Sequence, residues 1–239
     1  MSRNVDIVVI GGGSGGYAAA KKAAASGLSV ALVESADELG GLCILRGCMP
    51  TKSLLETSNR LRAIREAKDF GIEVGAPQLN LEALRARKSR LISGFQEYRV
   101  DGLKNGDFEL IRGSARFVSS NKIEVSGDGE ITAKAFIIAT GSCERIPEIE
   151  GLQETPFWTS DDIIDLPSVP NDVVVVGSGA VGMESAFLFQ GLGSKVTIVS
   201  RRRPLLSAVE PEISEAMQKR CQDLAIDVVF DCELKHVSH

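Results

Sequence analysis

Two cysteines with four residues between them, Cys43 and Cys48, stand in the segment 40–52, GGLCILRGCMPTK. Cysteine reacts as its thiolate, which nearby positive charges and helix N-termini stabilise, and Arg46 and Lys52 supply such charges here. A disulfide across so short a loop would stabilise a fold by only about 2 kcal/mol in the chain-entropy model, so a purely structural role for it is disfavoured. The segment therefore predicts a redox-active disulfide. Two reduced, buried cysteines are the alternative.

The remaining cysteines and the histidines form no second reactive pattern. A zinc site needs about four Cys, His or carboxylate ligands, and the two histidines, His236 and His239, stand far from the cysteine pair. We therefore predict no metal site. Five cysteines in 239 residues also disfavour the disulfide framework of a small secreted protein. The other three are expected to be packing residues: Cys143, Cys221 and Cys232.

Charge and hydropathy disfavour two classes of partner. A formal net charge of −5 argues against nucleic acid, which usually requires a basic face. No apolar run approaches the length of a membrane span, and the run at 5–10 is too short for a signal peptide. We therefore expect a cytoplasmic protein with no nucleic-acid or membrane partner.

The residues before the cysteine pair have the order of a dinucleotide-binding unit. The apolar run 5–10 predicts a buried strand, the Ala-rich stretch 17–25 a helix, and 28–33 a second strand that ends before Glu34. A G-x-G-x-x-G fingerprint at 11–16 lies between the first strand and the helix.

Each glycine of this fingerprint has a physical role in such a unit. Gly11 permits a tight turn, Gly13 lets the backbone approach a pyrophosphate, and Gly16 allows the helix to pack closely on the strand. Glu34 can accept hydrogen bonds from an adenosine ribose. A glycine-rich loop that merely turns the chain is the alternative, but strand, helix and acid in this order favour a dinucleotide site.

The same pattern recurs later in the chain. Residues 172–200 align without a gap on residues 6–34, at a constant offset of 166 positions. Chance explains one fingerprint more easily than two in matching register, so two dinucleotide-binding units are expected. The residues of the second fingerprint are Gly177, Gly179, Ala180, Val181 and Gly182.

The two copies differ at the acidic position. Ser200 replaces Glu34, and Arg201, Arg202 and Arg203 follow it. A carboxylate there repels a 2′-phosphate, whereas a serine followed by arginines can accept one. The first unit therefore suits the adenosine of FAD, and the second favours NADP over NAD. Arginines that are only solvated surface remain the alternative.

The rest of the chain predicts helices, a small meander and a connector. Amphipathic helices are expected at 53–70 and 79–98, the second with a solvated basic face (Arg85, Arg87, Lys88 and Arg90). The other expected elements are meander strands at 108–111, 115–118, 122–125 and 130–133, a buried strand at 136–139, a connector at 146–170, a helix at 210–222 and a strand at 226–230.

These elements predict an α/β fold with two Rossmann-like dinucleotide-binding units on parallel sheets. Residues 1–148 would form an FAD-binding domain, with a helical excursion at 53–100 and a β-meander insertion at 107–133. Residues 149–239 would form an NAD(P)-binding domain. That second unit is expected to be truncated, because such a unit normally continues through further strands.

Together these motifs resemble those of the flavoprotein disulfide reductases, the family of dihydrolipoamide dehydrogenase, glutathione reductase and mercuric reductase. The matching sequences are G-G-x-C-x-x-x-x-G-C-x-P-x-K at 40–52, the two glycine fingerprints, and the Ala-Thr-Gly-Ser sequence at 139–142. The resemblance covers the whole chain. It implies a homodimer with FAD, NAD(P), central and dimerisation domains, of which the first and part of the second are expected here.

The resemblance also implies roles for four residues. In the family, NAD(P)H reduces the flavin, and the flavin passes two electrons to the disulfide. Cys48 would be the flavin-side thiol and Cys43 the interchange thiol that attacks substrate. Lys52, paired with Glu184, would lie near the reactive edge of the flavin. Neither histidine of this chain matches the family's acid–base histidine.

Two positions depart from the family pattern. Leu42 replaces a frequent threonine, which removes a hydrogen bond near the flavin, and Arg46 replaces a small apolar residue. The residues implied for FAD are Gly11, Gly13, Ser14, Gly15, Gly16, Glu34, Gly41, Leu42, Cys43, Cys48, Lys52, Gly113, Ala115, Ala139, Thr140 and Gly141. Those implied for NAD(P) are Gly177, Gly179, Ala180, Val181, Gly182, Ser200, Arg201 and Arg202.

The expected function is electron transfer from NAD(P)H through FAD to the cysteine pair, and on to or from a dithiol or disulfide, as in dihydrolipoamide dehydrogenase. A mercuric or glutathione-type reductase is the first alternative. A flavin-binding fragment without turnover of its own is an alternative of another class. A flavin monooxygenase is disfavoured because it has no use for the cysteine pair.

Overall fold

A computed structural model describes residues 3–238, and these residues form two compact units. Of these residues, 3–49 and 90–143 form the first unit, and 50–89 and 144–238 form the second. The chain therefore leaves the first unit after Met49 and returns to it at Arg90. The division into FAD and NAD(P) domains at 148/149 concerns function and stays a prediction.

The first unit is built on a six-stranded sheet in the order β3-β2-β1-β6-β5-β4. Strands β3, β2, β1 and β6 run parallel, and β5 and β4 continue the sheet antiparallel. The strands are β1 (Arg3–Ile10), β2 (Val30–Glu34), β3 (Glu109–Arg112), β4 (Ala115–Ser119), β5 (Lys122–Val125) and β6 (Gly129–Ile138).

Successive residues of β1 point to opposite faces of this sheet. Val8 belongs to one buried apolar cluster with Ile123 and Ile131, and Val9 belongs to another with Leu32 and Leu103. The parallel part of the sheet is therefore buried on both faces, as β-branched apolar strands require. The helices that contribute to this unit are α1 (Ser14–Ala25), α2 (Leu42–Leu45), the start of α3 (Cys48–Glu66) and most of α4 (Leu81–Lys104).

The second unit repeats the beginning of the first. Its three parallel strands have the order β7-β8-β9, equivalent to β1-β2-β3. Ile7 pairs with Val30 in the first unit, and the residues 166 positions later, Val173 and Val196, pair in the second. The sequence repeat is thus a structural repeat with the same register. The elements are α5 (Ser160–Asp165), β7 (Asp172–Val176), α6 (Ala180–Leu192), β8 (Lys195–Val199), α7 (Pro211–Asp223) and β9 (Asp227–Val229).

Helix α6 packs against the part of α3 that belongs to the same unit. The Ser58 hydroxyl donates to the carbonyl oxygens of Phe187 and Leu188, and Arg65 donates to that of Gly191 at 2.7 Å. A Cβ on Gly191 would lie 1.9 Å from the Ser58 Oγ, so only glycine allows this approach. The Gly191 carbonyl, in the last turn of α6 and without a helical partner, is thereby satisfied.

Two strand predictions are wrong, one in the pairing of a strand and the other in the number of strands. The segment expected to begin the meander at 108–111 is β3, which pairs parallel with β2 and extends the nucleotide-binding sheet. The segments expected as separate strands at 130–133 and 136–139 form one continuous strand, β6. Short β-rich segments look alike in sequence, and their partners depend on long-range packing, which decides between these arrangements.

Three helical predictions also need correction. Helix α3 begins at Cys48, five residues before the expected start. Pro50 does not prevent this, because a proline in the first helical turn removes no helical hydrogen bond. Its expected end, 67–70, is a 3₁₀ turn, and α4 runs from Leu81 to Lys104 rather than over 79–98. The connector 146–170 contains helix α5, and the unforeseen α2 precedes α3.

The basic face of α4 is not solvated as expected. Lys88 is only 9 % exposed and donates to the Ile164 carbonyl and the Asp165 carboxylate. Arg85 donates to the carbonyls of Leu166 and Pro167. These cations occupy the carboxyl-terminal end of α5, where positive charge is stabilising. Arg87 bonds Ser53 on α3.

Among residues 3–238, no helix is both long and apolar enough to span a membrane. The same residues contain no cluster of three or more His, Cys, Asp or Glu side chains that could hold a metal ion. Cys221 is fully buried, and burial raises the pKa of its thiol. Cys232 is half-buried, but Cys143 is exposed, so the expectation that Cys143 is a packing residue is wrong.

Two helical glycines should respond oppositely to alanine. Gly191→Ala forces the added methyl into Ser58 and should destabilise the chain by about 1–3 kcal/mol. Gly94→Ala on α4 meets nothing within 4 Å and should stabilise by about 0.5–1 kcal/mol. Urea unfolding followed by circular dichroism measures both. Equal midpoints for the two variants would contradict the close approach of α3 and α6.

Candidate functional sites

The first glycine fingerprint forms a tight turn between β1 and α1. Gly11 adopts φ +104°, and a Cβ there would lie 2.3 Å from the Ala139 carbonyl oxygen. A Cβ on Gly16 would lie 1.8 Å from the Gly11 carbonyl oxygen. Helix α1 therefore starts directly above the end of β1, with Ser14 and Gly15 exposed at its first turn.

Glu34 closes this turn from the neighbouring strand. Its carboxylate accepts hydrogen bonds from the backbone N–H of Gly12 at 2.7 Å and of Ala36 at 2.8 Å. Its carbonyl oxygen accepts from the N–H of Gly113 at 3.0 Å. Each carboxylate oxygen of Glu34 accepts a backbone hydrogen bond and retains a lone pair for a further donor, such as a ribose hydroxyl.

The cysteine segment lies against the fingerprint. Gly41 adopts φ +75°, and a Cβ on it would lie 2.5 Å from the Cα of Gly13. This contact brings two backbone segments together without side chains between them. It explains the glycine before the cysteine pair and leaves a flat backbone surface at the N-terminus of α1, of the kind that binds pyrophosphate.

Both cysteines lie in the first unit, at or near the start of a helix. Cys43 is half-buried on α2, and Cys48 is exposed as the first residue of α3. The N-terminus of a helix favours negative charge, which is the charge of a thiolate. Leu42 is 46 % exposed at the start of α2, and Arg46 is also exposed.

In the second unit, Lys52 and Glu184 form an ion pair. The Lys52 Nζ lies 2.5 Å from the Glu184 Oε1. Lys52 is on the second turn of α3 and Glu184 on the second turn of α6. The structure thus brings together two residues that are 132 positions apart in the sequence and that the family resemblance paired.

The second fingerprint repeats the geometry of the first. Gly177 donates to the Val199 carbonyl at 2.9 Å, as Gly11 does to Val33 at 2.8 Å. A Cβ on Gly182 would lie 2.3 Å from the Gly177 carbonyl oxygen. Gly179, Ala180 and Val181 are exposed at the start of α6.

Ser200 makes contacts equivalent to those of Glu34. Its hydroxyl bonds the Ser178 hydroxyl at 2.8 Å, donates to the Arg202 carbonyl at 2.7 Å and accepts from the Arg202 N–H at 3.4 Å. Ser178 and Arg202 correspond to Gly12 and Ala36 of the first copy. Ser200 is 4 % exposed, so its main contacts hold the turn.

The three arginines after Ser200 have different environments. Arg203 forms an ion pair with Asp231 at 2.9 Å and lies over the Phe230 ring at 4.5 Å. Arg201 and Arg202 are exposed. The remaining site predictions fall at strand ends of the first unit: Gly113 and Ala115 around the β3–β4 turn, Ala139 bonded to the Ile10 carbonyl, and Thr140 and Gly141 exposed after β6.

Sequence reasoning missed two groups of functional interest. Gly12 and Ser178, between the fingerprint glycines, form hydrogen bonds that hold each turn, and their equivalent positions in the repeat are the signal that could have identified them. Arg99 and Tyr17 lie together in the first unit, with the Arg99 guanidinium 4.4 Å from the Tyr17 ring centre. No local motif indicates that contact.

The sequence profile of the pyridine nucleotide-disulphide oxidoreductase family matches residues 5–239. The chain belongs to this family. The predicted family and the predicted α/β class with Rossmann-like units are thereby confirmed.

Several individual proteins are also similar to this chain. Mercuric reductase of Lysinibacillus sphaericus is 34 % identical over 98 % of this chain and 43 % of its own length. Dihydrolipoyl dehydrogenase of Acholeplasma laidlawii is 32 % identical over 99 % of this chain and 71 % of its own. The solved flavoprotein disulfide reductase RclA of Escherichia coli matches with a TM-score of 0.79 at 26 % identity, over 98 % of this chain and 51 % of RclA. The chain spans about 40 % of the mercuric reductases it matches.

Neighbouring glycines of the first fingerprint give a matched test of the turn. Gly16→Ala places a methyl 1.8 Å from the Gly11 carbonyl oxygen and should abolish FAD retention and lower the thermal midpoint. Gly15→Ala meets nothing within 4 Å of the protein, so it should leave the thermal midpoint unchanged and should lower FAD retention less than Gly16→Ala does. Flavin absorbance of the purified variants and a thermal melt measure both effects. FAD retention by Gly16→Ala equal to that of Gly15→Ala would contradict the role of this contact.

Proposed function

We propose that this protein is an FAD-dependent oxidoreductase that passes electrons from NAD(P)H to a Cys43–Cys48 disulfide. From there they reach a dithiol or disulfide acceptor, and the direction is reversible. The observation that carries the proposal is the contact of Gly41 with Gly13, which places the cysteine segment against the first fingerprint. A structural disulfide would not need that contact.

The residues of the first unit fit FAD. The Gly13–Gly41 approach leaves backbone surface for a pyrophosphate, the N-terminus of α1 favours its charge, and Glu34 retains acceptor capacity for a ribose. Bound FAD would supply two-electron transfer between NAD(P)H and the disulfide. The chain's own contribution is to hold the cofactor against the cysteine segment, with Cys48 on the flavin side.

The cysteines then perform thiol–disulfide exchange. The Cys43 thiolate attacks one sulfur of an acceptor disulfide, forms a mixed disulfide and releases the first thiolate. Cys48 attacks the Cys43 sulfur, releases the second thiolate and closes the Cys43–Cys48 disulfide. Two protons complete the acceptor thiols, so each cycle transfers one electron pair from NAD(P)H to one acceptor disulfide.

Lys52 and Glu184 would tune the flavin. Lys52 follows Cys48 by about one helical turn in α3, and the 2.5 Å ion pair with Glu184 holds its ammonium in one orientation. A fixed positive charge stabilises negative charge that develops nearby. We propose that this charge faces the reactive edge of the flavin.

The second unit would bind the nicotinamide dinucleotide, with NADP favoured over NAD. Ser200 is occupied by its turn contacts and Arg203 by Asp231, so Arg201 and Arg202 are the groups we assign to a 2′-phosphate. Both are exposed and follow Ser200, the residue after β8 that stands where the first copy carries the acidic Glu34.

The proposal also includes the oligomeric state, the compartment and two alternative functions. We expect a homodimer. We also expect the protein in the cytoplasm, because disulfides in that reducing compartment are usually catalytic. A mercuric-type reaction is the second candidate, favoured by the 34–37 % identity to several mercuric reductases. Flavin binding without turnover by the 239 residues alone is the third, because the chain covers part of those relatives.

Anaerobic titration with NADPH tests the electron path. The FAD-loaded protein should take up two electrons and develop a long-wavelength absorbance band that depends on a thiolate beside the flavin. Cys43→Ser and Cys48→Ser should each abolish the band, while Cys143→Ser, at an exposed cysteine outside the segment, should leave it unchanged. If Cys43→Ser, Cys48→Ser and the parent protein all show identical flavin reduction, the proposal is wrong.

Nucleotide preference is tested by calorimetric binding of NADP⁺ and NAD⁺. Arg201→Ala should weaken NADP⁺ binding by about tenfold or more, the size of one lost charge-assisted hydrogen bond, and leave NAD⁺ binding nearly unchanged. Arg203→Ala serves as the control, and it should weaken both nucleotides alike because it loosens the loop. An Arg201→Ala variant that binds both nucleotides as the parent does would exclude this assignment.

A further inference from the structure

A cavity of about 620 Å³ opens beside Cys43 in the first unit. Its volume falls in the range of small-molecule sites. One wall comes from α2 and the start of α3, and the other from one face of α4. Its lining includes Cys43, Ile44, Phe95, Tyr98, Arg90 and Arg99.

Arg99 is an incompletely satisfied cation in this wall. Its Nε and Nη1 atoms are buried and have no hydrogen-bond partner among the described residues. A buried donor left without an acceptor is destabilising, more so when the group is charged. The Arg99 position therefore costs stability, which a ligand with a negative charge can offset.

The position of Arg99 is fixed by its surroundings. The guanidinium lies over the Tyr17 ring at 4.4 Å, a cation–π contact, and Tyr17 packs edge-on against Phe108. A Cβ on Gly102 would lie 2.3 Å from the Tyr17 hydroxyl, so glycine at this position of α4 admits the tyrosine. The charge is thus held beside the cavity before any ligand arrives.

No carboxylate neutralises the cations of this cavity. Among residues 3–238, neither Arg90 nor Arg99 has a carboxylate oxygen within 4.0 Å. Two acidic residues of this unit bond other side chains, since Asp101 accepts from Asn105 and Glu38 from Gln96. Most other lining side chains are apolar, among them Ile44, Leu91 and Phe95.

We infer that this cavity binds an acceptor whose sulfur lies near a carboxylate or equivalent anionic group, on an otherwise apolar body. Arg99 is the specificity-determining residue, since its positive charge selects the anionic group while the apolar walls hold the rest. The inference rests on the proposed role of Cys43 as the thiol that attacks the acceptor, and it adds the chemical class of that acceptor.

Alkylation of Cys43 by iodoacetate and iodoacetamide tests this charge directly. The two reagents differ by one negative charge, and the ratio of their rates cancels the thiolate fraction. The protein is first reduced and freed of reductant. Trypsin then separates the cysteines, because Lys22, Arg46 and Lys52 bound one peptide with Cys43 alone and one with Cys48 alone.

Arg99→Met should lower the iodoacetate-to-iodoacetamide rate ratio at Cys43 by about threefold, the order of magnitude expected when one unit charge that lines the same cavity is lost in a water-like dielectric. Arg99→Lys keeps the charge and should retain most of the ratio. Arg116→Met, which removes an exposed arginine from β4 of the same unit, is the matched control and should change nothing. An unchanged ratio in Arg99→Met overturns the inference.

A second measurement needs no variant. The parent ratio at Cys43 should fall between about 0.05 M and 1 M salt, because salt screens an accessible charge. A ratio independent of salt overturns the inference even if Arg99→Met fails to fold. Alkylation requires no flavin or NADPH, so a failure of this inference is distinguishable from a failure of the electron path that the NADPH titration tests.

Discussion

In each fingerprint, the carbonyl oxygen of the first glycine lies so close to the last glycine that it sets the geometry of the turn. The Gly11 oxygen leaves no room for a Cβ on Gly16, and the Gly177 oxygen leaves none on Gly182. This contact lets each helix begin directly over the end of its strand, where free N–H groups can meet a phosphate. The Gly13–Gly41 approach then follows, and it places the cysteine segment against the first turn.

The parts of the fold that sequence reasoning predicted are those with local causes. Glycines that need a particular φ or a missing Cβ, and β-branched strands buried on two faces, carry their reason in their own positions. The repeat at a constant offset extended this reasoning to the second unit. The register of β7 with β8 copies that of β1 with β2 because the same local constraints recur.

Elements that depend on distant partners were not predictable in this way. Strand β3 joins the parallel sheet only because β2 offers it an edge, and Lys88 is buried only because the end of α5 reaches it. The Arg99–Tyr17 contact joins residues 82 positions apart, with no periodicity to signal it. The Lys52–Glu184 pair needed the family resemblance, because nothing local links those two residues.

At the end of the second strand, Glu34 both closes the turn and carries a negative charge, whereas Ser200 at the equivalent position only closes the turn. Both side chains close the turn by bonding the same two equivalent positions, yet one is negatively charged and the other neutral. The turn can therefore persist while the charge at the strand end is lost. In a duplicated scaffold, point substitutions at a strand end can thus alter the electrostatics of one copy without altering the backbone of its turn.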